Sequence, residues 1–133
     1  MDDATVTVSH GRLRTIGARI LVAAGASEAD ARIVADDLVD GNLAGHDSHG
    51  VGMLPHYVRG ILGGRVDPRA HAAFEERAAA VIAVDGRKGF GQVVAREAIA
   101  AGIERARRPR ARIAPTGRRC RSTYRPTTSR RTC

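Results

Sequence analysis

Apolar positions recur at helical spacing through the first half of the chain, form one short unbroken run near its middle, and then return to helical spacing. Leu13, Ile16, Ile20, Leu21 and Ala24 share one face of a helix, with Ser9 placed to cap it and Gly25 to stop it. Ahead of it, Thr5-Val6-Thr7-Val8 alternates like a short strand or an extended arm. Ser27 opens a second helix whose buried stripe is Ile33, Val34 and Leu38. Glu28 and Asp30 fall in its first turn, where carboxylates meet the positive end of the helix dipole, and Asp30 takes the third place of a capping-box-like pattern. Asp36, Asp37 and Asp40 lie mostly off the stripe, and Gly41-Asn42 is expected to weaken the helix end. A third helix starts around Pro55, carries Leu54, Tyr57, Val58, Ile61 and Leu62 on one face, and ends at Gly63-Gly64. Val66 to Glu76 reads as loop. Ala80-Val81-Ile82-Ala83-Val84 reads as a strand, Asp85-Gly86 as a turn, and Gly89-Phe90-Gly91-Gln92 leads into a long helix with Val93, Val94, Ala98, Ile99, Ile103 and Ala106. Three helices, a strand and a helix, with no internal repeat, predict a mixed α/β fold that is mostly helical.

Composition changes this picture at one end only. The 133 residues carry a formal charge of +8, which by itself invites a nucleic-acid reading. Residues 1–107, however, hold 13 Arg/Lys against all 14 Asp/Glu, whereas residues 108–133 hold nine Arg and no acid. The same 26 residues contain three of the five prolines, both cysteines (Cys120 and Cys133) and a single Ile as their only large aliphatic residue. With so little to bury, this segment is expected to be a disordered Arg-rich tail on a body spanning 1–107. The two cysteines, thirteen residues apart, match neither a disulfide framework nor a zinc pattern and read as free thiols. The start, MDDATVTVSHGR, lacks the basic and apolar regions of a signal peptide, and no apolar run approaches the roughly 20 residues that span a bilayer. A cytoplasmic protein is expected.

The stretch Gly45-His46-Asp47-Ser48-His49-Gly50-Val51-Gly52 carries the densest chemistry. Placed at a helix N-terminus, a histidine there is held neutral yet able to donate, which suits proton exchange with a carbonyl or hydroxyl oxygen. The plainer reading is that Asp47 or Ser48 caps the helix and both histidines are merely exposed. A metal on His46, His49, Asp47 and His56 lacks an HExxH motif and any cysteine from the body. A nucleophilic Ser48 lacks the strand-to-helix elbow such a serine needs. Gly86-Arg87-Lys88-Gly89-Phe90-Gly91 follows a strand and opens a helix, so amides and two cations there can meet a phosphate, but its glycine spacing matches no phosphate fingerprint and ordinary turn chemistry explains it as well.

The string GNLAGHDSHGVGMLPHYVRGILGGRVDP, from Gly41 to Pro68, resembles the N-terminal signature of the malate/L-lactate dehydrogenase family, the non-Rossmann group that includes ureidoglycolate dehydrogenase and diketogulonate reductase. LVAAGASEADARIVADDLVDG before it and AVIAVDGRKGFGQVVAREAIAAGIERAR after it are similar to the flanking segments, so the resemblance runs over residues 8–108. It implies the N-terminal helical segment of a larger α/β dehydrogenase. Hydride would pass between NAD or NADP and a small 2-hydroxy/2-oxo acid, or a related imine, in a homodimer. By the same resemblance, His49 matches the proton donor/acceptor proposed in part of the family, and Ser48 matches a residue beside the substrate. No cofactor-binding residue and no metal ligand is assigned. An Arg that meets the substrate carboxylate in many members falls at Met53, so the carboxylate is met differently here or the substrate differs. Family members run well over twice this length. The tail's excess of Arg, Pro and Thr is what an out-of-frame reading of GC-rich codons gives, so a frameshift near codon 108 and a fragment inactive alone are expected. The reading from another class is a small basic protein that binds nucleic acid through its Arg-rich tail, against the plainer one that any such tail binds polyanions weakly and without specificity.

Overall fold

The computed structural model describes residues 6–78 and 81–107. Three helices come first: α1 (His10–Ala23), α2 (Glu28–Leu43) and α3 (Leu54–Leu62). Two consecutive 3-10 turns, Asp47–His49 and Val51–Met53, separate α2 from α3. Strands β1 (Ala73–Ala78) and β2 (Val81–Asp85) and the long helix α4 (Gly91–Arg107) follow. The element types agree with a mostly helical α/β segment.

The helix boundaries follow from caps. Ser9 and Ser27 each accept a hydrogen bond from the backbone N–H three residues on, and Ser27 also donates to the Asp30 carboxylate at 2.6 Å. The first three helices end alike, with a glycine in the left-handed region just past the helix: Gly25 (φ +109°), Gly45 (φ +80°) and Gly64 (φ +67°). At each, the N–H groups of that glycine and of the next residue fold back onto carbonyls of the last turn, as in Gly45 to Asn42 (2.9 Å) and His46 to Gly41 (2.8 Å). The expected weakening of α2 at Gly41-Asn42 is therefore corrected. The helix runs on to Leu43 because neither residue takes the left-handed turn, and Gly45 does.

Leu21, Ala26, Ala31, Val34, Leu38, Leu54, Phe90 and Val93 form the core where α1, α2, α3 and the start of α4 meet. Removing such side chains from water drives assembly at about 25 cal/mol per Å² of apolar surface. Phe90 anchors α4, its ring set edge-on to Tyr57 with centroids 5.9 Å apart. Three predicted faces are narrower than the periodicity implies. On α1 the inward line is Gly17 and Leu21, while Ile16 and Ile20 are 39% and 38% exposed. The reason is a close helix crossing at Gly17, where an added Cβ would stand 3.3 Å from the Cβ of Ala35 and 3.5 Å from Leu54. Leu62 on α3 and Ile99 and Ile103 on α4 are also exposed, because no described element covers those sides. Arg14 ties α1 to α2 through Asp36 (3.2 Å) and Asp40, and the guanidinium holds the Asp40 carboxyl below its ordinary range.

The expected loop from Val66 to Glu76 is also corrected, since its last residues belong to β1. That strand pairs antiparallel with β2, with Phe74 opposite Val84 and Glu76 opposite Ile82. Ala73-Phe74-Glu75-Glu76-Arg77-Ala78 has no apolar alternation because nearly all of it is exposed, so only cross-strand pairing reveals it. Thr5 of the alternating N-terminal tetrad and Ala80 of the predicted strand lie outside the described residues, as do residues 108–133 with Cys120, Cys133 and every expectation attached to that tail. Val6 and Val8 are exposed and belong to no strand. Among the described residues no helix is long and apolar enough to cross a membrane.

A strap between α3 and β1 is fastened by His71. Its Nδ1 meets Glu97 of α4 at 2.6 Å, its Nε2 lies 3.6 Å from the buried Asp30 of α2, and the Ala72 N–H donates to Glu97 at 2.8 Å. The Glu97 hydrogen bond, then the Asp30 charge, raise the His71 pKa above its ordinary value, while the Ala72 N–H lowers that of Glu97. Because the folded state favours the imidazolium, the His71 contribution is complete below about pH 6.5 and fades as pH rises through the elevated folded value. The Glu97 contribution is complete above about pH 4.5 and fades as pH falls through its lowered value. Thermal melts should therefore give a midpoint a few degrees higher near pH 5.5 than at pH 8.5. In His71→Gln that alkaline slope should flatten, and an unchanged slope would show that the strap is not held by charge.

Candidate functional site around Ser48 and His49

Gly45 stops α2 and turns the chain into Asp47-Ser48-His49, which forms a single 3-10 turn before Gly50. Pro55 then sits in the first turn of α3, where its missing N–H costs nothing. The polar cluster thus lies between two helices, close ahead of an N-terminus, as the sequence implies. His46, Asp47, Ser48 and His49 are all exposed.

Within the cluster, Ser48 Oγ stands 3.0 Å from His49 Nδ1. That contact leaves His49 Nε2 as the ring nitrogen available to an outside partner. Asp47 is spent differently, accepting from Asn42 Nδ2 at 2.6 Å. Neither Asp47 nor Ser48 caps the third helix, because the residue ahead of α3 is Met53, with no side-chain cap. Among the described residues no three His, Cys, Asp or Glu side chains gather at metal-binding distance. Met53 packs partly buried against the core, so the position four residues after His49 offers no charge to a carboxylate.

Two residues that carry the geometry were not singled out by residue type. Asn42, on the last turn of α2, reaches across the loop, and its Oδ1 accepts from the Val51 N–H at 2.8 Å. Gln92 on α4 donates to the Tyr57 hydroxyl at 2.8 Å, joining α4 to α3. An asparagine one turn before a helix-ending glycine is the only sequence signal for the first, and nothing signals the second.

The glycine-rich turn before α4 combines two left-handed residues with a close backbone approach. Arg87 (φ +47°) and Lys88 (φ +62°) are both left-handed, and the Gly89 N–H closes the turn on Gly86 O at 2.7 Å. Neither residue relieves that conformation as Asn-Gly would, so each costs about 1 kcal/mol or more. At Gly89 an added Cβ would lie 2.4 Å from Ala70 O. The strap's own backbone therefore passes close over Gly89.

A family model described as malate/L-lactate dehydrogenase matches residues 8–110. Hydroxycarboxylate dehydrogenase B of Escherichia coli O157:H7 is 50% identical over 82 residues, a match covering 62% of this chain and 23% of that protein. The malate dehydrogenase of Pyrococcus abyssi is 37% identical over 108 residues, covering 81% of this chain and 30% of the relative. Among solved structures, a putative malate/lactate dehydrogenase from E. coli superposes with a TM-score of 0.73 at 41% identity, covering 77% of this chain and 28% of that one. The chain therefore matches between about a quarter and a third of the length of these relatives.

Proposed function

Since the chain belongs to the malate/L-lactate dehydrogenase family, we propose that it carries the proton-transfer element of an oxidoreductase acting on a small 2-hydroxy/2-oxo acid, with His49 as the acid/base residue and Ser48 beside the substrate. The observation that carries this reading is the Ser48–His49 contact of 3.0 Å on an exposed loop inside the matched segment. In the oxidising direction the substrate hydroxyl gives its proton to His49 Nε2, and in the reducing direction His49 returns it to the carbonyl oxygen. A serine hydroxyl at Nδ1 fixes the ring while Nε2 works. The names of the relatives, a hydroxycarboxylate dehydrogenase and a malate dehydrogenase, support the substrate class.

NAD or NADP is the cofactor expected of such a reaction. Among the described residues none is assigned to hold it, and at the turn before α4 the Ala70 carbonyl passes close to Gly89. We further propose that residues 1–107 form the family segment and that residues 108–133 follow a frameshift, which leaves the 133-residue chain inactive alone. Translating the other two frames downstream of codon 108 should recover family sequence in one of them.

The functional test is a chimera in which residues 8–107 replace the matching segment of a family dehydrogenase. It should reduce a 2-oxo acid with NADH or NADPH, and His49→Gln in the chimera should lower kcat by about 10²–10⁴. The 133-residue chain alone should show no turnover. Full activity of the His49→Gln chimera would remove His49 from the reaction.

A further inference from the structure

We propose that Asn42 is a positioning residue that clamps the loop so that Ser48 Oγ accepts a hydrogen bond from His49 Nδ1–H, which holds neutral His49 in the tautomer with an unprotonated, outward Nε2. The inference deepens the acid/base reading and rests on it for its catalytic meaning.

The clamp is visible in four contacts. Asn42 Nδ2 donates to Asp47 Oδ1 at 2.6 Å, ahead of the Ser48–His49 pair, and Asn42 Oδ1 accepts from Val51 N–H at 2.8 Å, behind it. One partner only accepts and the other only donates, so a single orientation of the amide satisfies both. The buried Gly50 passes directly over this side chain, where an added Cβ would stand 2.2 Å from Asn42 Oδ1. At Gly41 an added Cβ would lie 3.0 Å from His49 O, so the backbone of His49 itself rests against the last turn of α2. The loop is thus held to the helix before, at and after the reactive pair.

The chemistry decides which way the Ser48–His49 bond runs. For Nε2 to take a proton from a hydroxyl it needs a free lone pair, so in the neutral ring the proton must sit on Nδ1. Among the described residues, Ser48 Oγ is the acceptor at that nitrogen. With Oγ accepting, the Ser48 O–H remains free to donate to the substrate. A partner that fixes a histidine tautomer is a recurring device in acid/base sites. Here a hydroxyl does it, and its position depends on an amide six residues upstream.

The test reads tautomers directly and needs no turnover. Long-range proton–nitrogen correlation spectra of ¹⁵N-histidine-labelled protein at pH 8.5 report the Nδ1–H fraction of each neutral ring. In the 133-residue chain, His49 should show at least twice the Nδ1–H fraction of His46, which shares the loop but makes no side-chain hydrogen bond among the described residues. Asn42→Ala should bring His49 down to the His46 value while the far-ultraviolet circular dichroism stays helical. Asn42→Asp keeps the acceptor for Val51 but sets a carboxylate against Asp47, and should also lose the bias. Equal fractions for His49 and His46 in the unaltered protein overturn the proposal whether or not either variant folds. A bias that survives Asn42→Asp overturns the clamp. An inactive His49 with the bias intact would instead sink the acid/base reading and leave the clamp standing.

Discussion

Replacing Phe90 with alanine is expected to remove about 3–5 kcal/mol of stability, the range for an enclosed aromatic side chain that leaves a cavity behind. Phe90 is 2% exposed, lies edge-on to Tyr57 and immediately precedes α4. Around it Val93 is buried, and Gln92 donates to the Tyr57 hydroxyl. Few other α4 side chains reach the core, since Ile99 and Ile103 face outward. Without the Phe90 ring, the helix keeps Val93 in the core, the Gln92–Tyr57 hydrogen bond and the ion pairs of Glu97 and Arg105. Small domains are stable by only about 5–15 kcal/mol in total, so the variant should be largely unfolded in low urea. Circular dichroism across a urea series checks this. A loss under 1 kcal/mol would mean that the site closes over the missing ring.

Gly89→Ala is expected to cost about 2–4 kcal/mol, among the larger single-residue effects that backbone collisions produce. The new methyl would meet Ala70 O at 2.4 Å and Gly86 O at 3.1 Å. Both are backbone atoms and neither can rotate aside. Relief requires opening the Gly89-to-Gly86 hydrogen bond at 2.7 Å or the Asp67-to-Lys88 bond at 3.0 Å that holds the strap. Gly91→Ala is the control, because nothing lies within 4 Å of its added Cβ, and it should change stability by no more than about 0.5 kcal/mol. Equal urea midpoints for the two variants would show that the strap does not press on Gly89.

The legible parts of the fold are those set by short-range chemistry. Ser9 and Ser27 announce helix starts because their hydroxyls serve N–H groups only three residues away. Gly25 and Gly64 announce helix ends because the left-handed turn is local. Pro55 fixes where α3 begins for the same reason. Errors appear where distant residues decide. Ile16 and Ile20 belong to the apolar face of α1 by periodicity, yet α2 crosses at Gly17 and leaves them at the margin. Strand β1 has no apolar signal of its own and exists through its pairing with β2.

The candidate site divides in the same way. Sequence alone picks out Ser48 and His49, because two histidines, an aspartate and a serine between glycines are unusual and match a family pattern. It also shows a change of composition after residue 107, where nine Arg, no acid and a single Ile fill the last 26 residues. Only the tertiary structure puts Asn42 under the loop, assigns Asp47 to that amide, and shows that Gly89 makes room for Ala70 O. Residue type and local spacing determine which groups can react and where helices stop. Which groups meet depends on how helices cross and where the backbone passes closely, and those contacts join positions that no periodicity relates.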